Sequence, residues 1–165
     1  MGKIKSDGGH SSYYDIPLGK KQLMSIATIN RVSFNDLISA AFGGDAKFIV
    51  MVTGLHCAFC GDEFKASRKM FGLNAEQATR ALETNTLKID DLIYIGFGND
   101  FDYGTILKSL KRAYEAMNGR GKEGADVVYN LKKVLYSMDQ ICKWSNRNPF
   151  AHSRAVIDGL IKEYS

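Results

Sequence analysis

The sequence predicts a mainly α-helical, compact single domain, and three observations support this fold class. Apolar residues recur at helical spacing in the last third, cap residues and glycines divide the middle into short segments, and the 165 residues include only two prolines. A chain of this length can bury a hydrophobic core within one domain. No apolar run approaches the roughly 20 residues that cross a bilayer, so we expect no membrane span.

The last third of the chain carries the clearest helical pattern. In a helix over residues 102–118, the apolar side chains fall within one arc of roughly 100°. Four charged residues fall on the opposite side: Lys108, Lys111, Arg112 and Glu115. Residues 124–143 repeat the pattern with a second apolar stripe, and Gly119 and Gly121 separate the two segments. We therefore predict a C-terminal antiparallel helical hairpin, followed by a terminal helix over residues 151–163.

Cap residues predict shorter helices upstream. Ser33, with Asp36 three residues later, resembles a capping box for a helix over residues 34–42. Asp45 can cap residues 46–60, where β-branched side chains leave a buried strand open but the length of the stretch favours a buried helix. The other predicted helices cover residues 22–29, 62–71, 75–83 and 90–97.

The N-terminus and the cysteine content indicate a cytoplasmic protein. Residues 1–21 are polar, Pro17 favours an extended backbone at Ile16, and the segment lacks the apolar centre of a signal peptide. The three cysteines form an odd set, which is not typical of a secreted disulfide scaffold. We therefore expect a reducing compartment.

The net charge limits the classes of partner. A charge of +4 permits a phosphate-bearing ligand. It is too small and too dispersed to predict sequence-specific DNA binding.

The Cys57–Cys60 pair is the one metal-like motif. A structural zinc ion takes four ligands, usually from two such pairs, and the chain contains a single C-x-x-C. Free cysteine also packs as a small apolar residue, so the alternative is two residues in a buried helix. We predict no metal site, with Cys57 and Cys60 as the candidates if one exists.

The predicted polar face of the second hairpin helix combines phenols and cations. Tyr129, Lys132, Lys133 and Tyr136 project together, away from the apolar stripe. Such a face can stack on a base and meet a phosphate. It can equally form a subunit interface of a homo-oligomer, or cover a neighbouring segment of the chain. All three interpretations remain open at this level.

Part of the chain resembles a small family of phage proteins, often labelled DUF3310. Residues 102–113 resemble the family's GNxxKYxxRAG segment, although Thr105 replaces its Asn and Ser109 its Tyr. The matching positions there are Gly104, Lys108, Arg112 and Ala113. Residues 130–136 resemble the family's DLKKAxxYL segment. The remaining matches are the acidic-apolar run Asp90, Asp91, Leu92 and Ile93, and the "HY" element His10, Tyr13 and Tyr14.

The resemblance covers about residues 8–17 and 88–142, so residues 20–87 look like an insertion and residues 88–143 like the family core. Because the family includes phage nucleotide kinases, the resemblance implies phosphoryl transfer to a nucleoside monophosphate, with Mg²⁺ as the cofactor if the chain is a kinase. The implied ligand-binding residues are Lys108, Arg112, Tyr129, Lys132, Lys133, Tyr136, His10 and Tyr14.

Three functional hypotheses follow for a protein expressed in an infected cell, and the third is a purely structural oligomeric module. The first is a phage accessory protein that binds a nucleotide or another phosphate-bearing small molecule, with kinase-like chemistry as an extension. The second is a non-enzymatic counter-defence protein that sequesters a host nucleotide signal or binds a host defence protein. The sequence contains no catalytic motif that would assign catalytic residues.

Overall fold

A computed structural model describes residues 14–61, 69–119, 124–145 and 149–165 and confirms the mainly α-helical fold class. The helices of this part are α1 (Lys20–Ile29), α2 (Phe34–Ala41), α3 (Ala46–Cys60), α4 (Ala75–Thr84), α5 (Ile89–Phe97), α6 (Phe101–Met117), α7 (Gly124–Ser145) and α8 (Ala151–Tyr164). The strands are β1 (Asp15–Pro17), β2 (Arg31–Ser33), β3 (Met70–Gly72) and β4 (Thr86–Lys88).

The predicted caps begin the helices as expected. The Ser33 side chain accepts a hydrogen bond from the backbone N–H of Asp36 at 3.4 Å and starts α2. Asp45 accepts one from the N–H of Lys47 at 2.9 Å and starts α3, so residues 46–60 are a helix and not a strand. The helical prediction for residues 62–71 is wrong at its end, where residues 70 and 71 belong to β3. Residues 62–68 lie outside the described part.

The strands form two small antiparallel sheets between distant parts of the chain. Strand β1 pairs with β4, with Ile16 opposite Leu87. Strand β2 pairs with β3, with Val32 opposite Phe71. The middle residue of each strand points into the core, and the pairs bind residues 15–33 to residues 70–88. The β1–β4 pair therefore joins the chain before residue 20 to the end of the range 20–87.

The pairing of strands between distant parts of the chain reflects an internal duplication. The first unit (β1, α1, β2, α2, α3) and the second unit (β3, α4, β4, α5, α6) have the same order of elements. Their residues match at an offset of 55 positions, as in Asn30-Arg-Val-Ser-Phe-Asn-Asp-Leu-Ile38 and Asn85-Thr-Leu-Lys-Ile-Asp-Asp-Leu-Ile93. Asn30 and Asn85 both adopt the left-handed conformation that ends the first helix of the unit, with φ of 54° and 59°.

Matching aromatic clusters show the duplication in three dimensions. In the first unit, Phe42 stacks on Phe48 with ring centroids 5.4 Å apart. In the second unit, the corresponding Phe97 and Tyr103 stack at 5.3 Å. Each stacked pair meets a third ring edge-on, Tyr114 from α6 in one case and Phe59 from α3 in the other. The two units therefore exchange aromatic side chains as well as strands.

Helices α7 and α8 follow the duplicated part and cover it. Helix α7 packs along α6, and α8 packs against α3 and α7. The start of α6, at Phe101, lies beside Tyr136 late in α7, and Arg112 lies beside Asp126 early in α7, so the predicted hairpin is antiparallel. Within the described residues, no helix is long and apolar enough to cross a membrane.

The predicted polar face of α6 is wrong at Lys111 and Glu115, which are buried. Only 2% of the Lys111 side chain and 6% of the Glu115 side chain are exposed, whereas periodicity put both on the outer side. The Lys111 ammonium lies 3.0 Å from the Glu115 carboxylate and donates to the backbone carbonyl of Ala41 at the end of α2. Burial is possible because each charge is paired and hydrogen-bonded.

Candidate functional site

Seven of the eight predicted ligand-binding residues line two adjoining depressions between α6 and α7. They are Tyr14, Lys108, Arg112, Tyr129, Lys132, Lys133 and Tyr136. The eighth, His10, lies outside the described residues. The two helices bring their polar faces to one side because they run antiparallel with their apolar stripes together.

The first depression, here called the cationic pocket, has a volume of about 380 Å³. Among the described residues, Lys108 and Arg112 of α6 and Lys133 of α7 line it, together with one carboxylate, Asp126. Three cations around one concave space favour an anionic ligand, because each can donate a charge-assisted hydrogen bond. Arginine and lysine side chains at this spacing can share one phosphate.

Buried polar side chains form part of the lining of the cationic pocket. Ser109 and Asn130 are 3% and 1% exposed, and both line the pocket. The Asn130 amide donates to the backbone carbonyl of Asp126 at 2.8 Å, so its orientation is fixed by α7 itself. Fixed polar groups beneath mobile cationic side chains are typical of a ligand site.

One cation of the pocket, Lys108, is held only weakly by another side chain. Lys108 lies 3.1 Å from Asp90, but about half of the lysine side chain and most of the aspartate side chain are in solvent. An exposed pair of this kind contributes little stability, so a ligand anion can replace the carboxylate. Arg112 donates to the Tyr14 hydroxyl at 3.3 Å, which orients its guanidinium along the pocket wall.

The second depression, here called the aromatic groove, has a volume of about 570 Å³. Its rings are Phe101 of α6 and Tyr129 and Tyr136 of α7, which are 72%, 62% and 65% exposed. Tyr129 and Tyr136 are two helical turns apart, or about 10.5 Å along α7. The Lys133 ammonium lies over the Tyr129 ring, 5.4 Å from its centroid. Exposed rings of this size lose water readily when a flat ligand stacks on them.

The two depressions form one continuous site. Thr105, Tyr129 and Lys133 line both of them, so a ligand in the cationic pocket can extend into the aromatic groove without leaving the surface. A third depression of about 350 Å³, bordered by Asp90 and Tyr94, continues from Thr105 on the other side of α6. The arrangement suits a ligand with an anionic end and a flat end.

The duplicated fold provides an internal control for this site. Helix α3 is the first unit's counterpart of α6, and its core positions match, as in Leu55 and Leu110. The positions that line the cationic pocket do not match, since Lys108, Ser109 and Arg112 correspond to Thr53, Gly54 and Cys57. The duplicated unit therefore forms without cations at these positions.

Several lining residues could not be identified from the sequence alone. Phe101 and Asp102 at the start of α6 join the aromatic groove because α7 runs back past them. Asn130 has no periodic signal that distinguishes it from other polar residues on α7. A comparison of the two units would have found Ser109, because its counterpart in the first unit is a glycine.

The cysteine pair lies apart from these depressions. Cys57 is half-buried and Cys60 is exposed in the last turn of α3. Among the described residues, no group of three or more histidine, cysteine, aspartate or glutamate side chains is arranged to hold a metal ion.

The fold and site define a mainly α-helical domain, built from a duplicated unit, with a cationic and aromatic groove between α6 and α7. Comparisons with protein-family models, with curated proteins and with solved structures find no match to this chain. The resemblance to the phage family stays a prediction.

Proposed function

We propose that this protein binds a nucleotide-like small molecule across the α6–α7 groove. The anionic end of the ligand contacts Lys108, Arg112 and Lys133 in the cationic pocket, and its flat ring stacks in the aromatic groove. The combined volume of the two depressions falls in the range of small-molecule sites. The ring contacts supply apolar burial and the cations supply charge-assisted hydrogen bonds.

The comparison of α6 with α3 carries the proposal. The two helices occupy corresponding places in the two units, yet the positions of Lys108 and Arg112 in α6 hold Thr53 and Cys57 in α3. A solvated face that merely kept the protein soluble would not need three cations around one space with buried Ser109 and Asn130 beside them. Ligand binding accounts for this combination.

A panel of nucleoside mono-, di- and cyclic phosphates tests the proposal by thermal shift and isothermal titration calorimetry. A ligand at 100 times its Kd should stabilise the fold by about 2.7 kcal/mol. The double variant Lys108→Ala/Arg112→Ala should weaken binding about 100-fold, because two charge-assisted hydrogen bonds are lost. Wild-type protein that shows no shift with any member of the panel would overturn the proposal.

A charge-matched control separates the site from general electrostatics. Lys20 and Lys21 are exposed at the start of α1 and line none of the depressions described above. The variant Lys20→Ala/Lys21→Ala removes the same charge and should keep the wild-type Kd. Equal weakening by both double variants would show that binding follows net charge and not this site.

Phosphoryl transfer is the second candidate, and Asp126 is the feature that favours it. This carboxylate borders the cationic pocket, where it could hold Mg²⁺ against a bound phosphate. Incubation with ATP, Mg²⁺ and a nucleoside monophosphate, followed by chromatography of the products, separates the candidates. Formation of a nucleoside diphosphate that is lost in Asp126→Asn supports a kinase, whereas binding without turnover supports sequestration, as the counter-defence hypothesis requires.

A further inference from the structure

Among the described residues that line the aromatic groove, Asp102 is the one carboxylate. It lies in the first turn of α6, is half-buried, and forms no hydrogen bond or ion pair with any residue of the described part. The cap of α6 is the preceding Asp100, whose side chain accepts from the N–H of Tyr103 at 2.9 Å. The counterpart of Asp102 in the first unit is Lys47 in the first turn of α3, so a helix of this unit can begin with the opposite charge at this position.

The charges around Asp102 restrict what can occupy the groove beside it. The carboxylate disfavours a second anion there, because burying two like charges together is unfavourable. A full cation is disfavoured by Lys132 and Lys133, which line the same groove. A neutral ring that presents N–H donors satisfies the carboxylate without meeting either repulsion.

From this arrangement we propose that Asp102 selects ligands whose ring carries an exocyclic amino group, as adenine, guanine and cytosine do. The inference rests on the proposed function, since it needs the anionic end of the ligand in the cationic pocket. The ring stacks among Phe101, Tyr129 and Tyr136, and its amino group donates to the Asp102 carboxylate at the edge of the groove. A ring without the amino group leaves a half-buried carboxylate unsatisfied, which costs affinity.

Paired nucleotides that differ at the amino group test this inference. Guanosine with inosine 5′-monophosphate, and adenosine with purine riboside 5′-monophosphate, differ only by the presence of that group. We expect the tighter-binding pair to show at least a tenfold lower Kd for its amino-bearing member. In Asp102→Ala the ratio should fall below about threefold, and circular dichroism should show that the helical fold is retained.

Two outcomes are kept distinct by this design. If nucleotides bind but neither pair is discriminated, or if Asp102→Ala keeps the wild-type ratio, the selection by Asp102 is wrong and the proposed function stands. If no nucleotide binds the wild-type protein, both fail. The variant Asp158→Ala, which removes an exposed carboxylate of α8, is the matched control and should keep the tenfold ratio.

Discussion

At the scale of single residues, His56 is the most unusual side chain outside the groove. It is fully buried in α3, and its ring lies 4.0 Å from the ring centroid of Phe34 and 5.4 Å from that of Phe97. Neither ring nitrogen has a hydrogen-bond partner among the described residues. Burial lowers its pKa from 6.5 to about 4, and the nearby backbone of Gly96, outside hydrogen-bond geometry, offsets this only in part.

The lowered pKa of His56 predicts loss of stability in mild acid. The folded protein keeps the imidazole neutral, whereas the unfolded chain takes up a proton below pH 6.5. The free energy of unfolding should therefore fall as the pH drops from about 6.5 towards 4, by about 3 kcal/mol from this group, and the His56 contribution should level off below pH 4. Urea unfolding at a series of pH values measures the dependence.

Two variants isolate the contribution of His56. Because His56→Leu removes the buried imidazole, its free energy of unfolding should decline less steeply between pH 6.5 and 4 than that of the wild type. His152 is exposed in the first turn of α8, so His152→Gln removes an imidazole of the surface and should keep the wild-type decline. An unchanged slope in His56→Leu would show that other groups control acid stability.

At the scale of elements, local sequence signals predicted most helices. They did not predict the features that depend on contacts between distant residues, such as the short strands. Ser33 and Asp45 bond to backbone N–H groups a few residues away, so their signatures are complete in the local sequence. Strand β3 has no such signature, because its three residues are extended only through pairing with β2, far away in the chain. The cations and phenols of the groove could be predicted from the faces of single helices. Asp102 could not, because it becomes part of the groove only where α7 packs beside the start of α6.

Lys111 of α6 connects this helix to α2, and its substitution should lower the free energy of unfolding strongly. Its ammonium binds the backbone carbonyl of Ala41 at the end of α2 and pairs with Glu115, so Lys111→Met removes the positive charge beside a buried carboxylate. We expect a loss of about 3–5 kcal/mol in the free energy of unfolding. Denaturant unfolding with circular dichroism detection provides the measurement.

The double variant Lys111→Met/Glu115→Leu is the control for the buried pair. With both charges replaced by apolar side chains of similar size, most of the lost stability should return. Lys108→Met removes an exposed cation from the same helix and should change stability by less than about 1 kcal/mol. A double variant as unstable as Lys111→Met would mean that the contact with Ala41, and not the buried charge, dominates.

At the scale of the whole molecule, the exchanged strands make the two units interdependent. Neither unit keeps a paired strand without the other, because β1 pairs with β4 and β2 with β3. The aromatic clusters are shared in the same way, since Tyr114 of the second unit completes the cluster of Phe42 and Phe48. A duplicated protein could otherwise unfold unit by unit, but here partial unfolding would expose both cores.

Substitutions at corresponding positions of the two units test this interdependence. Leu37 and Leu92 are fully buried in α2 and α5, so Leu37→Ala and Leu92→Ala should each cost about 2–5 kcal/mol. Because the units unfold together, each variant should show one transition, with circular dichroism in the far and near ultraviolet giving the same midpoint. The near-ultraviolet signal reports on the packed rings of the two aromatic clusters. Separate midpoints, or a second transition in one variant alone, would mean that the two units fold independently and that the strand exchange does not couple them.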